Sequence, residues 1–557
     1  MKAPLGCRFP TIRLATGVLL FALSAHAQTN SASTTGQELT RSSGGQDDTD
    51  LVIEAKALYR QGHFDEAAQK YEQLLQAQPK SAEAYAGLTR VYLKQQKVQL
   101  AHDTISLGLR VVESAPMRVA LGEVLFREGK LPEAESEWLN AVNSDHANAR
   151  AYLGLARLST ATTQYEQAKR EIDKAHALGP SDPDIEFHWL RSLKPSEQVP
   201  YLENYLSHEQ GTSAEEQTHL RNYLEFLKAQ LKSPTHGCQL ASELPSAEAD
   251  LLLVTGERPN QIRGYGLAVA LNGKNSKLQV DTGASGILID HKVAQKAGLT
   301  RLSDMTVGGF GDRGESSGYF AMAESIKIGP LELRDCPVMV VDKRSVLGED
   351  GVIGTDTFQE FLINLDFHHK KLRLRKLPRR PVTDPGEATV REGESKTGTV
   401  ATAVDAATEP PYTSLAKRWV PGEFLSFTHV FRFGHMLLIP TEVGDIQESR
   451  LFLIDTGSAR NVLSVNVARE ITKVRLNTRM TFKGLSGSVN KVYGAEKTEL
   501  HFSNVLQYAE NQTAIDLDHM SDSIETEISG VFGVETFCPF DVIIDYRDGL
   551  VAFDTEP

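Results

Sequence analysis

The sequence predicts a multidomain chain: an all-α solenoid of helical repeats followed by two copies of one all-β lobe. Three observations carry this. Small residues recur every 33 or 34 positions between residues 51 and 190. Near residue 250 the apolar period changes from helical to two. Beyond that point two long stretches repeat each other, including Asp281-Thr282-Gly283 and Asp455-Thr456-Gly457, which lie 174 positions apart. At 557 residues the chain exceeds a single core, and several domains are expected.

The N-terminus reads as an export signal over residues 1–27. Lys2, Arg8 and Arg13 precede the apolar run Leu14 to Leu23, and Ala25-His26-Ala27 is a small-x-small cleavage site. The run is too short to span a bilayer, so the expected mature protein is periplasmic or secreted, with no stable membrane span. Residues 28–49 are rich in Ser, Thr, Gly, Gln and Asp and read as a disordered leader. Net charge is −14, which leaves no basic face for nucleic acid. Cys238, Cys336 and Cys538 would remain after cleavage. They form no Cys-x-x-Cys or Cys/His cluster, so no metal or other cofactor is expected. One disulfide and buried free thiols both remain open.

From Leu51 the pattern is helical. Ala67, Ala101, Ala134 and Ala168 mark four units. In the first, Gly62 stands at the turn, Ala67 at the helix crossing, Tyr71 in the groove and Pro79 after the second helix. The second unit is degenerate, with Gln96 at the glycine position. The set resembles the tetratricopeptide repeat. One helix pair cannot bury its apolar face alone, whereas stacked pairs can, leaving a concave surface for peptides or proteins. A protein partner at that groove and a mere spacing role are both open. Tyr201, Tyr205, Tyr223, Phe226 and Leu227 continue at helical spacing as a cap, so the helical domain is expected over residues 50–232. Ser233 to Ala249 reads as a boundary.

The β lobes are expected over 250–378 and 421–557. In the first, Leu267 to Leu271, the turn Asn272-Gly273 and Lys277 to Val280 run into Asp281. In the second, Met436 to Pro440, a turn near Gly444 and Leu451 to Ile454 run into Asp455. Downstream, Gly351-Val352-Ile353-Gly354-Thr355-Asp356-Thr357-Phe358 matches Gly530-Val531-Phe532-Gly533-Val534-Glu535-Thr536-Phe537. Glycine-rich hairpins lie between: Gly308, Gly309, Phe310 and Gly311 in one lobe, Gly484, Leu485, Ser486 and Gly487 in the other.

These features resemble retropepsin-like aspartic proteases, whose lobes each supply one carboxylate. The resemblance implies that Asp281 and Asp455 face each other about 3 Å apart and share one proton, since two such charges cannot both ionise cheaply. The ionised one would act as base for a water and the protonated one would polarise a scissile carbonyl. It further implies that Thr282 and Thr456 bond across to the opposite lobe, that Gly283 and Gly457 let backbone approach the carboxylates, and that the glycine-rich hairpins are flaps closing over peptide substrate. Ser458, where the first lobe has Ala284, is expected to hydrogen-bond its carboxylate. Arg460, where the first lobe has Gly286, raises the alternatives of a cation near the dyad and a solvated surface charge.

Residues 379–420 read as a flexible linker, rich in Thr, Ala, Glu, Gly and Pro, with a span of about 30 Å for its central part. That suffices for the lobes to pair within one chain at high effective concentration. The expected function is an exported aspartic endopeptidase whose repeats recruit a protein substrate or partner. The alternatives are a catalytically inactive peptide- or protein-binding scaffold and a protease acting on its own linker.

Overall fold

The computed structural model describes residues 17–18, 44–208, 214–232, 238–242, 244–255, 262–309, 316–341, 350–380, 411–477, 482–484, 487–489 and 491–554. The expected signal and most of the leader lie outside these residues.

The helical region runs α1 (Gly44–Arg60), α2 (Phe64–Ala77), α3 (Ala82–Lys94), α4 (Val98–Leu109), α5 (Ala115–Arg127), α6 (Leu131–Ser144), α7 (Ala149–Ala161), α8 (Tyr165–Leu178), α9 (Pro183–Ser192), α10 (Pro195–His208) and α11 (Ala214–Lys232). Helix α1 begins inside the stretch expected to be a disordered leader, because its polar first turn is continuous with the apolar positions after Leu51. The turn between the helices of each pair needs a left-handed residue. Gly62 (φ 77°) and Gly129 (φ 76°) supply it, but so do Gln96 (φ 59°) and Thr163 (φ 61°). The degenerate unit therefore keeps the repeat geometry at some local cost. Trp138 sits where the first unit has Tyr71 and is fully buried. A Cβ on Gly154 would fall 2.2 Å from its ring, so the close crossing of α6 and α7 depends on that glycine.

The β region contains two sheets with the same central strand order. In the first half the order is Leu331–Val341, Ile287–Asp290, Gly351–Gly354, Lys274–Asp281, Ile262–Leu271. In the second it is Val505–Ile515, Val462–Ser464, Gly530–Phe532, Ile446–Ile454, Met436–Val443. A third sheet joins the halves: Phe361–Asp366 pairs antiparallel with Asp541–Asp545, with Ile363 opposite Ile544 and Leu365 opposite Val542. Alternating residues of these strands are buried in one core that draws on both halves. Its outer strand Ser246–Asp250 comes from the stretch expected to be a boundary; it pairs with Lys371–Lys376. Cys238 and Cys336 form a disulfide that ties the end of the helical region to the first β half; Cys538 is not part of a disulfide among the described residues.

The second half packs against the repeats. Phe126, Trp138 and Leu155 share an apolar cluster with Phe431, Met436, Leu438 and Leu451. Residues 411–420, expected to be part of a flexible linker, are instead held on this surface. The Thr413 N–H donates to Gln167 Oε1 at 2.7 Å while its carbonyl accepts from Gln167 Nε2 at 3.2 Å. Glu135 accepts from the Tyr412 hydroxyl at 3.1 Å and from the Leu415 N–H at 2.9 Å. Two buried side chains thus read the backbone of this segment, which its composition does not reveal. The rest of the expected linker, 381–410, lies outside the described residues.

Candidate active site

Each aspartate ends a strand that enters a tight turn. The Lys274–Asp281 strand is held by the parallel Gly351–Gly354 strand, with Gly354 opposite Asp281. In the second half Ile454 lies opposite Phe532, whose carbonyl accepts the Asp455 N–H at 2.9 Å. The apolar runs bury these strands, so each carboxylate emerges from a rigid floor.

The turns meet and bond reciprocally. Thr282 Oγ1 donates to the Ile454 carbonyl at 2.7 Å and accepts the Thr456 N–H at 2.9 Å. Thr456 Oγ1 donates to the Val280 carbonyl at 3.2 Å and accepts the Thr282 N–H at 3.1 Å. All four bonds are buried, where an unmade hydrogen bond is expensive. Asp281 and Asp455 are thereby brought side by side, 0% and 1% exposed. A Cβ on Gly457 would lie 2.2 Å from Asp281 Oδ2, and one on Gly283 would lie 2.9 Å from Asp455 Cγ. Only glycine allows that approach.

The carboxyls are unequal. Burial, the Asp455 charge and the hydrogen bond with Asp455 push Asp281 well above the usual carboxylate range, against the amides of Gly283 and Gly457. Burial also raises Asp455, but only to about 6, because the Asp281 carboxyl and the amides of Ser458 and Gly457 favour its charge. The geometry agrees: Asp455 Oδ1 accepts two N–H groups, from Gly457 at 2.8 Å and Ser458 at 3.0 Å, and Asp281 Oδ1 accepts that of Gly283 at 2.8 Å. Oδ2 of each carboxyl is buried, and among the described residues no group other than the facing carboxyl is there to bond it.

The expectation that the Ser458 side chain bonds Asp455 is corrected. Its hydroxyl donates to the Arg460 carbonyl at 2.7 Å, and the backbone N–H reaches the carboxylate. Arg460 exerts its field on the half-buried Glu535, while burial, Asp281 and two amides account for Asp455. Of the hairpin residues, Gly308 and Gly309 end the Thr300–Gly309 strand, and Gly484 pairs with Gly487. Phe310, Gly311, Leu485 and Ser486 lie outside the described residues. No group of His, Cys, Asp or Glu among the described residues could hold a metal ion.

Other polar residues complete the site. Gln279 Nε2 donates to the Gly457 carbonyl at 3.1 Å, and His435 Nε2 lies 3.1 Å from the Gly283 carbonyl. Burial lowers the His435 imidazole, and because a carbonyl can only accept, Nε2 donates there. Each half thus fixes the glycine of the other. Asp356 accepts the Gly286 N–H at 2.8 Å, and Glu535 accepts the Asn461 N–H at 2.7 Å. The paired carboxylates of Asp356 and Glu535 were visible in the duplicated blocks; Gln279 was visible as a polar residue inside an apolar run. His435 had no signal.

Residues 267–357 match the family model described as aspartyl protease, and residues 58–111 match the tetratricopeptide repeat model. The chain carries an aspartyl protease domain preceded by tetratricopeptide repeats. No curated protein matches it. Three solved structures align with about a third of the chain. One is titled for the functional characterization of Pseudomonas aeruginosa pilF, with 18% identity, 34% of this chain and 85% of that chain covered, and TM-score 0.24. Another is YrrB, a TPR protein with an unusual peptide-binding site, with 18% identity, 33% and 87% covered, and TM-score 0.19. The third is TTC0263, a thermophilic TPR protein of Thermus thermophilus, with 20% identity, 32% and 98% covered, and TM-score 0.26. The protease domain implies hydrolysis and a protein substrate, and the repeats imply protein–protein interaction. No described helix is long and apolar enough to cross a membrane.

Proposed function

We propose that this chain is an exported aspartic endopeptidase whose dyad, Asp281 and Asp455, is assembled from two β lobes of one molecule. The observation that carries the reading is the buried pair itself. Two carboxyls share a buried floor, and each keeps one oxygen that no group but the facing carboxyl is placed to bond. Such a pair holds one proton between its members at moderate pH.

Asp455, with two amides on Oδ1, is the ionised member. It takes a proton from the attacking water. Asp281 keeps its proton and donates it to the scissile carbonyl oxygen as the tetrahedral intermediate forms. Collapse of that intermediate requires protonation of the leaving nitrogen, for which Asp455 then holds the proton, while the hydroxyl that becomes the product carbonyl returns its proton to Asp281. Thr282, Thr456, Gly283 and Gly457 keep the carboxyls within reach of one substrate atom, and the glycine-rich hairpins close over the peptide. The repeats supply the protein-binding part. The N-terminal segment 1–27 directs export.

The test compares the full chain with Asp281→Asn and Asp455→Asn on a peptide library between about pH 3 and 8, the range over which such pairs titrate. Loss of cleavage in both variants supports a shared dyad. Cleavage surviving either change sinks it, and an inert wild type favours a binding scaffold.

A further inference from the structure

Most charges on one face of the repeats are paired within the repeats. On α3, α5, α7 and α9, Arg90 meets Glu123 at 2.7 Å, Arg150 meets Asp184 at 2.9 Å, and Lys94 meets Asp184 at 2.6 Å. Arg127 of α5 and Arg157 of α7 are different: their ion-pair partners are Asp522 and Glu525 of the second β half. The Arg157–Glu525 pair closes at 2.6 Å, and the Arg157 guanidinium also lies 4.3 Å from the centre of the Phe126 ring.

Both acids belong to one turn. The Asp518–Ile524 helix ends at Glu525, which is left-handed (φ 54°) and so directs the chain back toward the repeats. The Glu527 N–H then donates to the Arg127 carbonyl at 2.9 Å. Burial in the groove raises the Glu525 carboxyl, and Arg157, Lys94 and His188 more than reverse this. About half of that side chain, 48%, stays accessible, so solvent weakens its pair. The Arg127–Asp522 pair is drier, at 11% and 15%.

The turn leads directly to the dyad. After Glu527 the Ser529 N–H donates to the Leu451 carbonyl at 2.8 Å, and the Gly530–Phe532 strand follows, whose last carbonyl holds the Asp455 N–H. We propose that this face of the repeats is a receptor for an acidic protein segment, filled in this chain by its own Asp518–Glu527 turn, and that its occupancy steadies the strand beneath Asp455. An acidic peptide from another protein would compete for Arg127 and Arg157, so partner binding and the geometry beneath Asp455 are linked. The tethered turn has the advantage of high effective concentration and excludes weak competitors.

A fluorescent peptide with the sequence of residues 516–528 tests the receptor on the full chain. It should bind Asp522→Lys/Glu525→Lys, whose turn is repelled, at least ten times more tightly than wild type. Adding Arg127→Glu and Arg157→Glu should abolish that binding. Equal binding to all three chains, or none to the vacated one, overturns the receptor. If the lysine pair fails to fold, Asp522→Asn/Glu525→Gln takes its place. Amide hydrogen exchange tests the link: residues 528–533 should exchange at least ten times faster in Glu525→Lys and recover in the Arg157→Glu/Glu525→Lys charge swap. Unchanged exchange in the single variant overturns it. Neither readout requires peptide cleavage, so this inference and the protease reading fail separately.

Discussion

The Ser458 N–H donates to Asp455 Oδ1 at 3.0 Å as well as to the Asp455 main-chain carbonyl at 3.2 Å, whereas the N–H of its counterpart Ala284 is directed at the Asp281 main-chain carbonyl alone, at 3.4 Å. The amide of Gly457 acts on both carboxyls, but the Asp281 carboxyl has no counterpart of the Ser458 donor. That donor favours the charged form of Asp455, because hydrogen bonds to a carboxylate lower its pKa. With burial raising Asp455 to about 6 and Asp281 well above the usual range, the proposed dyad is expected to hold one proton between its two ionisations. We expect a bell-shaped profile of kcat/KM with an acid limb near pH 6. Both limbs describe the pair as a unit. Steady-state kinetics across pH would contradict the assignment if activity were flat from pH 6 down to about 3.

Removing the Ser458 hydroxyl should barely matter to that limb. The hydroxyl bonds the Arg460 carbonyl at 2.7 Å, and the amide that touches Asp455 survives in Ser458→Ala. The acid limb of this variant should shift by less than about 0.5 unit, which corresponds to under about 0.7 kcal/mol. A shift of a full unit would place the side chain, not the backbone, on the carboxylate.

The two turn glycines should differ in sensitivity. A Cβ at position 457 would overlap Asp281 Oδ2 at 2.2 Å, while one at 283 would stand 2.9 Å from Asp455 Cγ. Gly457→Ala must displace the carboxyl or the turn, and a misplacement of about 1 Å costs on the order of 100-fold in rate. Peptidase assays should therefore show at least that loss for Gly457→Ala and a smaller one for Gly283→Ala. The reverse ranking would mean that the turns relax differently from what their spacing implies.

Stability carries its own pH signature. The folded-state Asp455 is raised to about 6, above an unfolded value of about 3.9. The folded chain therefore holds this proton longer. Its contribution is fully present below about pH 4 and is lost as pH rises through about 6. For a fully buried group the difference amounts to about 3 kcal/mol. Urea denaturation of wild type and Asp455→Asn at several pH values reads the contribution of the pair, because the Asp455 charge also raises Asp281. The variant should gain on the wild type as pH rises from about 4 toward 7; a parallel pair of curves would exclude it.

The site was legible in the sequence to the extent that it is duplicated. Asp281 and Asp455 stand out because each ends an apolar strand, and the blocks around Gly354 and Gly533 repeat the context. Periodicity likewise exposes the repeats, since each helix pair must bury the same face. What remained hidden depends on partners distant in sequence. Tyr412, Thr413 and Leu415 have linker composition, and only the placement of Glu135 and Gln167 makes them a docked segment. Ser458 presents a hydroxyl to the reader but uses its backbone. His435 follows a glycine in an ordinary turn, and nothing local says that the turn reaches Gly283 in the other half.

The reciprocal threonines offer the sharpest test that the two halves form one unit. Thr282 and Thr456 each donate to a main-chain carbonyl of the opposite half and accept an opposite N–H. Replacing either with Val keeps the volume but leaves a buried carbonyl and a buried N–H unpaired, at about 1–3 kcal/mol for each unsatisfied group. Thr→Ser retains the hydroxyl and should cost less. In a double-mutant cycle the two Val substitutions share one network, so their costs should fall short of additive by about 1 kcal/mol or more, in the range seen for residues in direct contact (about 0.5–3 kcal/mol). Denaturant unfolding of the four chains gives the coupling. Strict additivity would mean that the turns do not bond across the halves in solution, and the dyad that depends on them would lose its support.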